Sequence, residues 1–134
     1  MKQTQKLALV GCIIALSSCS KWKSDEDRNP YEGMTANQLY TSSQKALDKG
    51  EYATASKQLE AMETMYPFSD YTEKTQMELI YAYYQNEEYP AAAAAAERFI
   101  HLYPRAKNVD YAYYMKGLAN FQQTRGVFAK ILPL

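Results

Sequence analysis

A stretch beginning at Glu51-Tyr52-Ala53-Thr54-Ala55 and closing at Tyr66-Pro67 recurs 37 residues later. The second copy runs from Glu88-Tyr89-Pro90-Ala91-Ala92 to Tyr103-Pro104. A recurrence at this period restricts a chain to a solenoid of antiparallel helix pairs, because each pair has an apolar face that only its neighbours can bury. The expected fold is all-α: a right-handed α-α solenoid of tetratricopeptide-like hairpins, with two complete repeats and the first helix of a third. The tetratricopeptide unit is about 34 residues long. The extra residues here are placed in the loops between repeats, around Pro67-Phe68-Ser69 and Pro104-Arg105-Ala106.

Local signals set the helix limits. Thr35 and Gln38 have the spacing of a capping box, in which each side chain satisfies the other residue's backbone NH. The first helix then runs to about Lys49, where Gly50 supplies the left-handed turn. A second helix covers Tyr52 to Tyr66 and stops before Pro67, which has no NH to donate. Asp70 and Glu73 are expected to cap the third helix, over Tyr71 to Gln85, whose Met77, Ile80, Tyr81 and Tyr84 have helical spacing. Asn86-Glu87-Glu88 turns the chain into a helix with Pro90 in its first turn, where proline is accepted. The alanine run 91–96 leaves little side-chain bulk and lets paired helices approach closely. Asn108 is expected to cap a last helix ending near Thr124.

The amino terminus has the pattern of a secretory leader, with Lys2 and Lys6 ahead of an apolar run from Leu7 to Leu16. That run is shorter than the roughly 20 residues needed to span a bilayer. Leu16-Ser17-Ser18-Cys19 resembles a bacterial lipobox, so Cys19 is the expected acylated residue of the mature chain. Cys12 is expected to leave with the leader. The domain reading is a signal peptide at 1–18, a flexible tether at 19–33, repeats at 34–124 and a truncated tail at 125–134. Within the tether, Lys21-Trp22-Lys23 suits a headgroup region. The apolar tail lacks a partner helix, and the chain is expected to be a fragment of a longer protein.

The whole sequence holds 15 cations and 15 anions. Losing Lys2 and Lys6 leaves 13 cations, a net charge of −2, so no basic face is implied and nucleic acid is not an expected partner. His101 is the only histidine. It has no nucleophile at a recognisable spacing, so neither an enzyme nor a cofactor or metal site is expected. The residue types at the repeat phase point instead to peptide binding. Tyr40, Gln44, Met77, Tyr81, Tyr84, Tyr111, Tyr114, Met115 and Phe121 fall on the first helices of their pairs, which line the concave side of such solenoids. Aromatic rings there would grip apolar side chains, while tyrosine hydroxyls and glutamines would bond a peptide backbone. Tyr66, Phe68 and Tyr71 form a second cluster at the first inter-repeat loop, read as a hydrophobic staple or, where exposed, as a loop contact site.

Three strings behind the lipobox, Tyr66-Pro67-Phe68, Leu79-Ile80-Tyr81-Ala82-Tyr83-Tyr84 and Arg98-Phe99-Ile100-His101-Leu102-Tyr103-Pro104, resemble the BamD family, the tetratricopeptide-repeat lipoproteins of the bacterial β-barrel assembly machine. Asp110-Tyr111 and Tyr114-Met115-Lys116-Gly117-Leu118 fit as well. The resemblance implies a lipid-anchored protein on the periplasmic side of the outer membrane, working with BamA and other assembly-complex lipoproteins on unfolded outer-membrane proteins. It implies that the amino-terminal repeats recognise the aromatic-ended C-terminal segment of barrel substrates, and that the carboxy-terminal repeats dock on BamA. Ser20 after the cysteine agrees with sorting to the outer membrane. The alternative reading is a pilotin or a cell-wall-hydrolase adaptor with the same solenoid.

Overall fold

The computed structural model describes residues 29–131. The leader, Cys12, Cys19, Trp22 and Pro133 lie outside the described residues. Asn29 organises a short turn of its own, in which its side-chain oxygen accepts from the Tyr31 NH at 3.0 Å and its carbonyl from the Glu32 NH at 3.1 Å. Among the described residues from Gly33 onward there are five helices: α1 (Ala36–Asp48), α2 (Tyr52–Met65), α3 (Thr72–Gln85), α4 (Tyr89–Leu102) and α5 (Val109–Ile131). Each packs on the next in sequence, and α3 also touches α5. This is the all-α, tetratricopeptide-like hairpin arrangement that the period predicts.

The capping box at the start of α1 is complete. The Gln38 NH donates to the Thr35 hydroxyl and the Thr35 NH to the Gln38 side-chain oxygen, at 3.3 and 2.9 Å. At its other end, Gly50 at φ +74° closes a six-residue loop in which the Glu51 NH reaches the Ala46 carbonyl and the Gly50 NH the Leu47 carbonyl. The second hairpin repeats this turn bond for bond, with the Glu88 NH on Tyr83 and the Glu87 NH on Tyr84. Here the left-handed position is held by Glu87, at φ +63°.

Two boundaries differ from expectation. Asp70 and Glu73 do not cap α3. Its first residue is preceded by Tyr71 in helical conformation with no side-chain cap, and the Thr72 hydroxyl donates to the Ser69 carbonyl at 2.7 Å. The Thr72 NH, a group that Asp70 would otherwise serve, donates to the Ser69 carbonyl at 3.1 Å. The last helix also continues past Thr124 to Ile131, because Gly126 keeps a helical backbone instead of turning left-handed. The first residue after it that cannot donate a helical hydrogen bond is Pro133.

Packing follows the repeat with little deviation on the outer helices. Buried positions of α2 recur in α4 at the same offset: Ala55 with Ala92, Leu59 with Ala96, and Met62 with Phe99. Where the first repeat uses leucine at Leu59 the second uses alanine at Ala96, and where the first uses methionine at Met62 the second uses the larger Phe99. Ala46, Ala55, Leu59, Leu79 and Ala82 fill the space between the first two repeats. Ile80, Ala95, Ala96, Phe99, Ala112 and Met115 fill the space between the second repeat and α5.

Candidate functional site

The face shared by α1, α3 and α5 carries most of the residues expected to meet a ligand, and it divides into two parts. Between α1 and α3 lies a closed polar cluster centred on Glu78. Its two carboxylate oxygens accept from the Tyr40 hydroxyl at 3.0 Å and from the Gln44 amide at 2.6 Å, while the Lys74 ammonium stands 3.7 Å away. The Tyr40 ring stacks on Tyr71 with centroids 4.4 Å apart, and Lys74 sits over the Tyr40 ring at 5.2 Å. Asn37 donates to the Tyr71 hydroxyl at 2.9 Å. Tyr40 retains only 8% of its exposure. Its ring and hydroxyl serve the contact between repeats, so Tyr40 offers no open face to a ligand.

Burial raises the Glu78 carboxyl above its ordinary pKa, against the hydrogen bonds of Tyr40 and Gln44 and the charge of Lys74, which lower it. The Tyr40 hydroxyl is raised as well, first by burial. A half-buried carboxylate with three donors around it is a pin between two helices.

The second part is open. Tyr81 packs edge-to-face on Tyr52 from the start of α2, with centroids 5.8 Å apart and planes at 86°. Tyr111 and Tyr114 lie along α5 with centroids 6.4 Å apart. Burial raises the Tyr111 hydroxyl, and so do the neighbouring hydroxyls of Tyr81 and Tyr114, which links the residues across α3 and α5. Tyr114 is 62% exposed and Phe121 58%. Tyr84 closes the row, edge-to-face with Tyr89 at 5.4 Å and accepting from the Gln122 amide at 3.3 Å. Rings of this kind offer faces and edges to apolar side chains and hydroxyls to peptide groups. Met77 and Met115 point into the core beside Ile80 and Phe99 and take no part in this row.

Sequence reasoning had not singled out Tyr52, Glu78 or Tyr113. Tyr52 was legible as the phase partner of Tyr89, since each begins the second helix of its pair. Glu78 was legible as a lone carboxylate in the otherwise apolar string Met77-Glu78-Leu79-Ile80. Tyr113 is exposed on α5 at the phase of the buried Leu39.

The loop cluster separates into different roles. The Tyr66 hydroxyl donates to the Met34 carbonyl, and Tyr71 stacks on Tyr40, so both tie the loop to the preceding repeat. Phe68 is 99% exposed and takes no part in a staple. On the outer helices, Arg98 reaches both oxygens of Glu63 at 2.9 Å, and Tyr83 donates to Glu60 at 2.6 Å. These bonds join α4 and α3 to α2. His101 is exposed and lies 3.8 Å from Glu97 on its own helix. Among the described residues, no three or more His, Cys, Asp or Glu side chains gather as a metal site would require, and no helix is long and apolar enough to cross a membrane.

Comparison with known proteins places this geometry in a family. A family model described as YfiO, Outer membrane lipoprotein, matches residues 32–131. The outer membrane protein assembly factor BamD of Vibrio cholerae serotype O1 is 39% identical over 113 residues, covering 84% of this chain and 46% of that protein. The factor of the same name from Pasteurella multocida is 38% identical over 106 residues, covering 79% of this chain and 38% of its own length. That of Neisseria gonorrhoeae is 33% identical over 126 residues, covering 93% and 47%. The chain spans less than half the length of these relatives.

Proposed function

The chain belongs to the YfiO family of outer membrane lipoproteins, and from that membership we propose that it serves outer membrane protein assembly by holding segments of unfolded barrel chains on its open tyrosine row. The observation that carries this reading is the row itself: Tyr52, Tyr81, Tyr111 and Tyr114 stand across α2, α3 and α5 with Tyr114 and much of Tyr111 exposed. An extended peptide sends alternate side chains to opposite sides. One set, including a terminal aromatic ring, would lie against these tyrosines, and the peptide groups between them would meet the hydroxyls. Tyr84 and Phe121 extend the surface toward the far end of α5. Tyr40 and Gln44 act behind it, through Glu78, by fixing α1 against α3.

The same reading gives the remaining parts their tasks. Residues 1–18 are a cleaved leader, acylated Cys19 and the tether to residue 33 hold the repeats of 34–124 at the membrane, and α5 leads the chain toward whatever follows. BamA and the accessory lipoproteins are its partners in the assembled complex. The protein acts by binding and catalyses nothing, in keeping with relatives named as assembly factors.

Fluorescence anisotropy of a labelled barrel peptide ending in an aromatic residue tests the binding step. Tyr81→Ala and Tyr114→Ala should each weaken binding by about 1 to 2 kcal/mol, with helicity preserved by circular dichroism. Unchanged affinity in the folded variants, or equal affinity for a peptide lacking the terminal aromatic, would remove the tyrosine row as the site.

A further inference from the structure

The solenoid has two edges, and they are chemically unlike. Because the helices alternate in direction, the start of α1, the loop 66–71 and the loop 103–108 share one edge. The turns at 48–51 and 85–88 share the other. The hydrogen bonds of the Tyr66 hydroxyl to Met34 and of Asn37 to Tyr71 tie the first of these together. That edge carries Phe68, the most exposed large apolar side chain described, at 99%, together with the exposed Leu102 at the end of α4. Its loops hold two exposed cations, Arg105 and Lys107, against one exposed carboxylate, Asp70, with Glu73 and Asp110 in the first turns behind them. The opposite turns hold four exposed carboxylates, Asp48, Glu51, Glu87 and Glu88, against Lys49 alone, and no exposed large apolar residue.

We propose that the edge formed by Met34, the Phe68 loop and the Arg105–Lys107 loop rests on the lipid surface, with the Phe68 ring inserted at the headgroup boundary. Three observations choose a bilayer as its occupant. The family is one of outer membrane lipoproteins. The tether from Cys19 meets the repeat domain at Met34, on this same edge, and its 15 peptide units reach at most about 50 Å. With the flanking turns counted, this edge carries Arg105 and Lys107 against Asp70, Glu73 and Asp110, and the opposite edge Lys45 and Lys49 against Asp48, Glu51, Glu87 and Glu88. An anionic surface therefore repels the opposite edge more and favours this one. A phenylalanine side chain buries enough apolar surface to add to a lipid anchor without replacing it. Docked in this way, the solenoid would present its helices end-on to the bilayer, with the tyrosine row rising along them from the surface where barrel proteins are inserted.

The proposal relies on the Cys19 anchor and is independent of peptide binding. Trp22 is the only tryptophan, so Trp22→Phe gives a silent background for single reporters. The full lipidated chain carrying Trp22→Phe with Phe68→Trp is reconstituted into vesicles of phosphatidylethanolamine and phosphatidylglycerol with brominated acyl chains. A second protein carries Lys49→Trp on the opposite edge. The Phe68→Trp indole should be strongly quenched by the brominated lipid and shielded from aqueous acrylamide, while the Lys49→Trp indole shows the reverse. Arg105→Glu with Lys107→Glu should lower the quenching several-fold. Equal quenching at the two edges, no quenching at Phe68→Trp, or indifference to the charge reversal would each overturn the proposal. Loss of vesicle flotation by every variant would instead mean that the Cys19 anchor is wrong, whereas intact flotation with an unquenched indole isolates the failure to the edge.

Discussion

The two sides of α3 are built from the same repeat phase and do different things. Toward α1, the tyrosine at that phase is Tyr40, buried and locked by Glu78, Tyr71 and Lys74. Toward the open end the same phase is Tyr114, 62% exposed. Ser43, Ile80 and Gly117 tell the same story, the first two being fully buried while a side chain added at Gly117 would meet nothing within 4 Å. An inner helix with neighbours on both sides must bury two faces, and α3 does so. Among the described residues, helix α5 packs on α4 and α3, and its Tyr113 and Tyr114 are exposed. In a repeat protein, then, position in the array decides whether a given phase serves packing or contact.

The largest test of this contrast removes the two tyrosines in turn. Tyr40→Ala should cost about 3 kcal/mol, because it empties a buried aromatic site and strips Glu78 of a donor. Tyr114→Ala should stay within about 0.5 kcal/mol. Urea unfolding followed by circular dichroism gives both values, and similar losses for the two would erase the distinction.

A smaller effect is expected where the two hairpin turns differ. Gly50 and Glu87 occupy equivalent left-handed positions with the same hydrogen bonds, but only glycine adopts that conformation without strain. Glu87→Gly should raise stability by about 1 kcal/mol. Gly50→Ala should lower it by a similar amount through backbone strain alone, since the added carbon would lie 3.8 Å from the Tyr52 ring, an ordinary contact. A Glu87→Gly protein no more stable than its parent would mean that the second turn is not under strain.

The smallest effect is a slope with pH. Burial raises the Glu78 carboxyl above 4.5, so the folded state holds that proton more tightly than the unfolded chain does. The resulting stability is complete below pH 4.5 and is lost as pH rises through the raised folded value. Glu63 is raised in the same direction by burial, against Arg98. Glu78→Gln should flatten the fall in Tm on leaving acid conditions, while the Glu63 share of the slope remains. Parallel Tm curves for the two proteins would place Glu78 in a better solvated site than its burial suggests.

Much of this was legible in the chain. Helix pairs, the capping box, Gly50 and the buried Ala55/Ala92 and Met62/Phe99 pairs follow from periodicity, since a face repeated every 37 residues has to meet its own copies. The tyrosines of the candidate site were legible as a set but not as individuals. Propensity and phase place Tyr40, Tyr81 and Tyr114 on one face; they cannot say that Tyr40 would find a carboxylate from the next repeat, or that Tyr81 would lean on Tyr52. The misplaced cap at Asp70 and the early stop at Thr124 have a similar origin. Loop carbonyls competed for the groups that Asp70 was expected to serve, and Gly126 had no turn to make.

Sequence alone thus determined the architecture, because helix spacing, turn chemistry and apolar phase are local quantities written into each repeat. Tertiary structure decided which aromatic rings are bound and which are free, and which edge carries Phe68 and its cations. Those outcomes depend on groups 30 or more residues apart, such as Tyr40 with Glu78 and Tyr66 with Met34, and such groups meet only when the hairpins have stacked.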